Sequence, residues 1–184
     1  MSKTPKMQEV SHLLLDFDGV LTDNMVYVDQ NGIETVKCNR SDGYGLKLIK
    51  GLARRLRHNI IIEVITMEEN LVASTRCRKL NISCLQGLVR KQDYIAKLRK
   101  EISDSGSIAW NKILYVGNDL NDLACISIAD YSFCPSDSHE EVQKEVDLVL
   151  NAKGGTGVLR EIAELLLYNE GIPASKFHEL ISDS

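Results

Sequence analysis

Short apolar runs of strand length alternate with longer stretches whose apolar residues recur at helical spacing. This alternation commits the chain to an α/β fold on a mainly parallel sheet. The first run, roughly Ser11 to Phe17, carries Leu13, Leu14 and Leu15 without a break, as a strand buried on both faces does. Met25 to Asp29 and Glu34 to Cys38 flank Gln30-Asn31-Gly32, and Asn-Gly between two β-like runs predicts a hairpin directly after that strand. From Asp42 to Arg57, the residues Leu46, Ile49, Leu52, Ala53 and Leu56 fall on one side of a helix. Further strands are predicted at Ile60–Thr66, Ile82–Leu85, Ile113–Val116, Tyr131–Phe133 and Leu148–Leu150. Helices are predicted at Glu69–Leu80, Val89–Ile102, Asp119–Ile126 and Val158–Tyr168, with a short acidic helix between the last two strands.

At 184 residues, 43% hydrophobic, this is one domain (1–184) with helices on both faces of a Rossmann-like sheet. The stretch 169–184 reads as a loose tail, and Asp104–Ser107 as a surface loop. A net charge of −4 argues against a nucleic-acid binder, while leaving room for a local basic cluster facing an anionic substrate. Met1 to Val10 lacks an apolar signal stretch, and no apolar run reaches membrane-spanning length, so a soluble cytoplasmic protein is expected. The five cysteines are scattered and form no C-x-x-C pair, which points to free thiols.

Chemistry concentrates in Asp16-Phe17-Asp18-Gly19-Val20-Leu21-Thr22-Asp23. Asp16 falls at the carboxyl end of the first strand, where open parallel sheets bind ligands. Two carboxylates one residue apart are costly to bury without a cation beside them. One can attack phosphorus while the other manages a proton. An ordinary polar turn explains D-x-D-G by itself about as well; the full octet is far rarer and favours chemistry.

That octet resembles the first motif of the haloacid dehalogenase superfamily, in its sugar-acid phosphatase branch, and the resemblance covers nearly the whole chain. It implies that Asp16 is the nucleophile and Asp18 the general acid and base. Thr66, closing Val64-Ile65-Thr66, matches the second motif, a hydroxyl for a phosphoryl oxygen. Lys91 matches the third, a cation that neutralises charge repelling attack, with Arg90 as a rival. Gly117-Asn118-Asp119-Leu120-Asn121-Asp122 matches the fourth, where related phosphatases usually read G-D-D-x-x-D. The resemblance therefore implies Mg2+ held by Asp16, the Asp18 carbonyl and Asn118, with Asp119 close behind and Asp122 in support. Asn118 offers an oxygen but one negative charge fewer. A helix-capping cluster is the structural alternative, and capping and binding are compatible.

About fifty residues separate Asp16 from Thr66, and the hairpin and one helix consume them, so no cap domain fits. The resemblance implies a capless enzyme that forms a homotetramer, in which hairpin and C-terminal tails border adjacent sites. Cys38 to Gly45 resembles the family's substrate-contacting N-x-x-D-G-x-G stretch, nominating Asn39, Arg40, Asp42 and Gly43, with Lys47 nearby. A helix start capped by Ser41 or Asp42 explains the same residues equally well. Octulosonate 8-phosphate phosphatases carry T-G-R after their second strand, whereas this chain has Thr66-Met67-Glu68. Glu68, Arg76 and Lys79 resemble instead the branch acting on nonulosonate 9-phosphates, related to sialic acid. Arg76 and Lys79 share a helix face, with plain surface charge as the alternative, about evenly so for Lys79.

The stretch from Gly117 to Leu123 also resembles the phosphatase-like domain fused to some acylneuraminate cytidylyltransferases. A non-catalytic oligomerisation module is therefore the second functional class. A response-regulator receiver domain ranks lower, since its acids are ordered differently along the chain. Gly154-Gly155-Thr156-Gly157 lies late and does not match G-x-G-x-x-G.

Overall fold

The computed structural model describes residues 4–104 and 112–181, so the loop expected at Asp104–Ser107 falls, from Ser105 on, outside the described residues. The strands are β1 (Val10–Leu15), β2 (Thr22–Val28), β3 (Glu34–Cys38), β4 (Ile61–Ile65), β5 (Ser83–Leu85), β6 (Lys112–Val116), β7 (Tyr131–Cys134) and β8 (Leu148–Val149). The helices are α1 (Arg40–Arg55), α2 (Leu71–Leu80), α3 (Lys91–Asp104), α4 (Leu123–Ile128), α5 (Glu140–Glu145) and α6 (Val158–Asn169). Six strands form a parallel sheet in the order β5-β4-β1-β6-β7-β8, and β2 and β3 form a separate antiparallel hairpin.

Strand alternation sorts the core into two layers. Leu13 and Leu15 face one side of the sheet with Val64, Leu114 and Val116, packed against α1, α2 and α6. Leu14 faces the other with Ile65, Ile113 and Tyr115, against α3, α4 and α5. Helices thus cover both faces, and the unbroken Leu run is the signature of the central strand. Between β1 and β4 the chain holds only the hairpin and α1, which leaves no room for a cap.

The structure fixes one detail the sequence leaves open, the hairpin loop, and differs in two others, the start of α1 and the tail. The hairpin loop is wider than its Asn-Gly pair: the Asp29 carboxylate accepts the N–H groups of Asn31 and Ile33 at 2.8 and 2.9 Å, closing a five-residue connection between Val28 and Glu34. Helix α1 starts two residues before the expected Asp42. Asn39, rather than Ser41 or Asp42, caps it by accepting the Ser41 N–H at 2.9 Å. Residues 169–181 are no loose tail, because Ile172, Phe177 and Leu180 are buried, the last two in a 3-10 turn (Ala174–Leu180) laid on α1. Three apolar side chains supply the burial that holds this segment. Among the described residues no helix is long and apolar enough to cross a membrane.

The neighbours β4, β1 and β6 end at one edge. Leu15 is in register with Val64 on one side and Val116 on the other, so the loops carrying Asp16, Thr66 and Asn118 leave the sheet side by side.

Candidate active site

A tight turn forms the floor of the site. The Phe17 carbonyl accepts N–H groups from Val20, Leu21 and Thr22, and Gly19 supplies the positive φ of +75° the turn requires. Thr22 pins it: its hydroxyl donates to Asp18 Oδ1 at 3.3 Å and accepts the Gly19 N–H at 3.2 Å. The buried Asp16 carboxylate accepts the Phe17 N–H through Oδ1 at 2.8 Å and meets Lys91 Nζ through Oδ2 at 3.1 Å. A Cβ on Gly19 would lie 2.0 Å from Asn118 Nδ2, so the loops after β1 and β6 are in direct contact. On the other side, Gly155 N–H donates to the Val20 carbonyl at 3.0 Å, and a Cβ on Gly154 would strike the Gly19 carbonyl at 2.3 Å. The late glycine run is therefore a wedge under the Asp16–Asp23 turn.

Asp122 organises the other half. It is fully buried and uses both oxygens: Oδ1 accepts from Lys91 Nζ and the Tyr115 hydroxyl, each at 2.5 Å. Oδ2 accepts the N–H groups of Asn118 and Asp119 at 2.8 and 3.3 Å. Asp119 turns its own carboxylate to the Leu120 N–H at 2.7 Å and caps the next turn. Lys91 is 2% exposed and spans Asp16 and Asp122, whereas its rival Arg90 is exposed and paired to Asp93. Tyr115 and the bridging geometry of Asp122 are what the motif spacing did not reveal.

Burial raises the Asp16 carboxyl to about 7; Asp122 adds to the rise and Lys91 opposes it. Burial also opposes the charge on Lys91, but Asp16 and Asp122 outweigh it and hold its pKa above the usual value. Asp18 is raised as well, chiefly by burial, with the Thr22 hydroxyl working against this and Glu68 and Glu34 adding to it. Both carboxyls of the D-x-D turn thus sit above the ordinary carboxylate range, chiefly because they are buried.

Thr66 closes β4 in a buried position, and its oxygen accepts the Glu68 N–H at 3.0 Å, leaving the hydroxyl proton to donate. Glu68 accepts the Asn70 N–H at 2.6 Å, and Asn70 Nδ2 donates to Glu34 on the hairpin at 2.9 Å. Glu34 is a mouth residue with no sequence signal, since only the folding of the hairpin over the β4 loop brings it there.

The other nominated residues gather elsewhere. Arg40, Gly43, Lys47, Arg76 and Lys79, joined by Tyr44 and Lys50, line a groove of about 600 Å3 between α1 and α2 that includes none of Asp16, Asp18, Thr66 or Lys91. Arg76 donates to the Asn39 carbonyl at 2.7 Å, while its Nε is buried without a hydrogen-bond partner among the described residues. Asp42 turns inward: it accepts the Leu159 N–H at 3.0 Å and so caps the start of α6, whose N-cap residue Gly157 has no side chain to do it. Burial pushes its carboxyl up to about 6, partly offset by that N–H and by Arg76.

The donor set suits magnesium. The Asp16 carboxylate, the Asp18 main-chain carbonyl and the Asn118 amide are hard oxygen donors on the two loops that meet at Gly19. A half-turn of the Asn118 amide exchanges its oxygen and nitrogen. Among the described residues no three of His, Cys, Asp and Glu gather as a metal cluster.

The chain is 32% identical over 167 residues to the 3-deoxy-D-manno-octulosonate 8-phosphate phosphatase KdsC of Salmonella typhi, covering 90% of this chain and 84% of that one. The Haemophilus influenzae protein of the same name is 26% identical over 171 residues, covering 90% and 87%. Among solved structures, the Moraxella catarrhalis 3-deoxy-D-manno-octulosonate 8-phosphate phosphatase, in complex with magnesium, phosphate and a KDO molecule, superposes with a TM-score of 0.77 at 25% identity, covering 96% and 94%. The cobalt-bound Haemophilus influenzae deoxy-D-mannose-octulosonate 8-phosphate phosphatase gives 0.74 at 26% identity, covering 91% and 92%. No family model matches the chain.

Proposed function

The chain belongs to the haloacid dehalogenase superfamily, in the capless branch of the 3-deoxy-octulosonate 8-phosphate phosphatases, and on that premise we propose a magnesium-dependent phosphatase acting on a nonulosonate 9-phosphate. More coarsely, it is a phosphoric monoester hydrolase acting on a phosphorylated sugar acid. One observation carries the reading: Lys91 bridges Asp16 and Asp122 while Asn118 rests on Gly19, so nucleophile, cation and metal loop share one pocket.

Asp16 attacks phosphorus in line, the phosphorus–oxygen bond to the sugar breaks, and the departing oxygen takes the Asp18 proton. An aspartyl-phosphate results. Asp18, now a carboxylate, takes a proton from water as that water attacks phosphorus; phosphate leaves and Asp16 is restored. Lys91 cancels part of the charge on the approaching phosphoryl group, and Thr66 donates its hydroxyl to a phosphoryl oxygen. Magnesium, held by Asp16, the Asp18 carbonyl and Asn118, supplies further neutralisation of the phosphoryl oxygens when bound.

The nine-carbon preference rests on Glu68, which stands at the mouth where octulosonate enzymes place an arginine, and on Arg76 and Lys79 in the basic groove. Glu68 bonds sugar hydroxyls, and Arg76, in the lining of the basic groove, takes the carboxylate. An octulosonate 8-phosphate is the second reading, supported by the names of the relatives. The protein works as a cytoplasmic homotetramer: Met25, Val26, Tyr27, Val28 and Ile33 are exposed on the hairpin and suit burial against a neighbouring chain.

A panel of eight-carbon and nine-carbon keto-acid phosphates tests the substrate, with Asp16→Asn as the blank. Faster turnover of the eight-carbon ester overturns the nonulosonate reading. Normal tetramers that hydrolyse no sugar phosphate, and no p-nitrophenyl phosphate with magnesium, point to an oligomerisation module instead.

A further inference from the structure

Beneath the phosphoryl site lies a hydroxyl that none of the motif residues explains. Tyr115 sits on β6, fully buried among Leu14, Ile65, Ile95 and Cys125. A phenylalanine ring would fill that space equally well, so packing alone does not call for the oxygen. That oxygen donates to Asp122 Oδ1 at 2.5 Å, the atom that Lys91 Nζ also meets at 2.5 Å. Lys91 in turn stands 3.1 Å from the nucleophile's Oδ2. Asp122 Oδ2 is occupied by the Asn118 and Asp119 N–H groups at 2.8 and 3.3 Å. A carboxylate has about four lone-pair sites, and each here has a donor. Without the phenol, Oδ1 would turn its whole charge on the one remaining donor and draw the ammonium away from Asp16.

We propose that Tyr115 is a positioning residue for hydrolysis, its hydrogen bond to Asp122 fixing how far Lys91 is shared with Asp16 and the phosphoryl group. The inference rests on the phosphatase reading above. Burial, reinforced by Asp122, pushes the phenol's pKa well above its ordinary value, so the donor persists through the working range.

Tyr115→Phe, Asp122→Ala and the double variant, assayed with magnesium and p-nitrophenyl phosphate, test the idea, with thermal melting to establish that each chain is folded. Tyr115→Phe is expected to lower kcat about tenfold, as loss of one hydrogen bond to a charged group does. KM should stay within about twofold, and inhibition by orthovanadate should weaken roughly in step with kcat. In the Asp122→Ala background the same substitution should change kcat by less than about twofold, because the acceptor is gone. If Asp122→Ala does not fold, Asp122→Leu, which likewise offers no acceptor, takes its place in the cycle. Equal losses in both backgrounds would show a packing role and overturn the proposal. An active wild type with an unimpaired Tyr115→Phe overturns it while leaving the phosphatase reading intact, whereas an inactive, folded wild type removes both.

Discussion

Replacing the nucleophile should abolish activity and yet stabilise the metal-free protein. Asp16 has an unfolded pKa near 3.8 and is raised to about 7 in the fold, chiefly by burial, with Asp122 adding and Lys91 opposing. A carboxyl whose folded pKa lies above its unfolded one binds its proton more tightly when folded, so ionising it costs stability as pH rises. The cost is absent below about pH 4, grows through the interval up to about pH 7, and is constant above it. A rise of that size corresponds to roughly 4 kcal/mol. Asparagine at this position carries no charge, keeps nearly the same shape, and escapes that cost. At pH 8 in EDTA, Asp16→Asn should therefore melt on the order of 10 °C above wild type, given about 2–4 °C per kcal/mol for a chain of this size. At pH 4 the two should coincide. Asp42, raised to about 6 by burial, titrates in both proteins and cancels in the difference. Adding magnesium should raise wild type more than the variant, since the ion binds the folded carboxylate. Thermal melts from pH 4 to pH 8, with EDTA and with magnesium, make the comparison. A variant less stable than wild type at pH 8 in EDTA would refute the burial argument.

Asn118→Asp restores the missing carboxylate, and the magnesium needed for half-maximal phosphate release should fall about fivefold, the effect of one added charge of about 1 kcal/mol near the ion. An unchanged magnesium titration would exclude residue 118 from the metal site. Gly19→Ala forces a Cβ to φ +75° and to 2.0 Å from Asn118 Nδ2. It should cost about 1–2 kcal/mol in backbone strain and lower kcat more than tenfold; a fully active variant would mean that the two loops need not touch. Leu180→Ala, in the docked C-terminal turn, should lose about 2–4 kcal/mol on denaturant unfolding with kcat preserved, while no loss would return that segment to a loose tail.

The sheet was legible because each strand is a short apolar run and each helix carries a stripe, so local pattern and tertiary burial agree. Leu13-Leu14-Leu15 predicts a buried strand, and the structure sets it inside the sheet with alternate residues in opposite layers. The motif residues were legible in order, and the parallel register of β4, β1 and β6 brings them to one edge. What stayed hidden depends on contacts distant in sequence. Nothing around Asp42 announces a partner at Leu159, and a capping residue borrowed from another helix leaves no local signature. The docked tail reads as polar because its buried anchors, Ile172, Phe177 and Leu180, are spaced among exposed residues. Helical spacing puts Arg76 and Lys79 on one face of α2, but the groove they share with Arg40 and Lys47 of α1, outside the phosphoryl site, depends on how the two helices pack.

Every step of the proposed hydrolysis depends on a bond between Asp16 and phosphorus. Wild-type protein mixed with a sugar-acid phosphate and magnesium, acid-quenched within one turnover and digested, should yield a single phosphorylated peptide, the one containing Asp16, which hydroxylamine strips of its phosphoryl group. Release of phosphate at an undiminished rate from Asp16→Asn, or a label on any other peptide, would contradict the account.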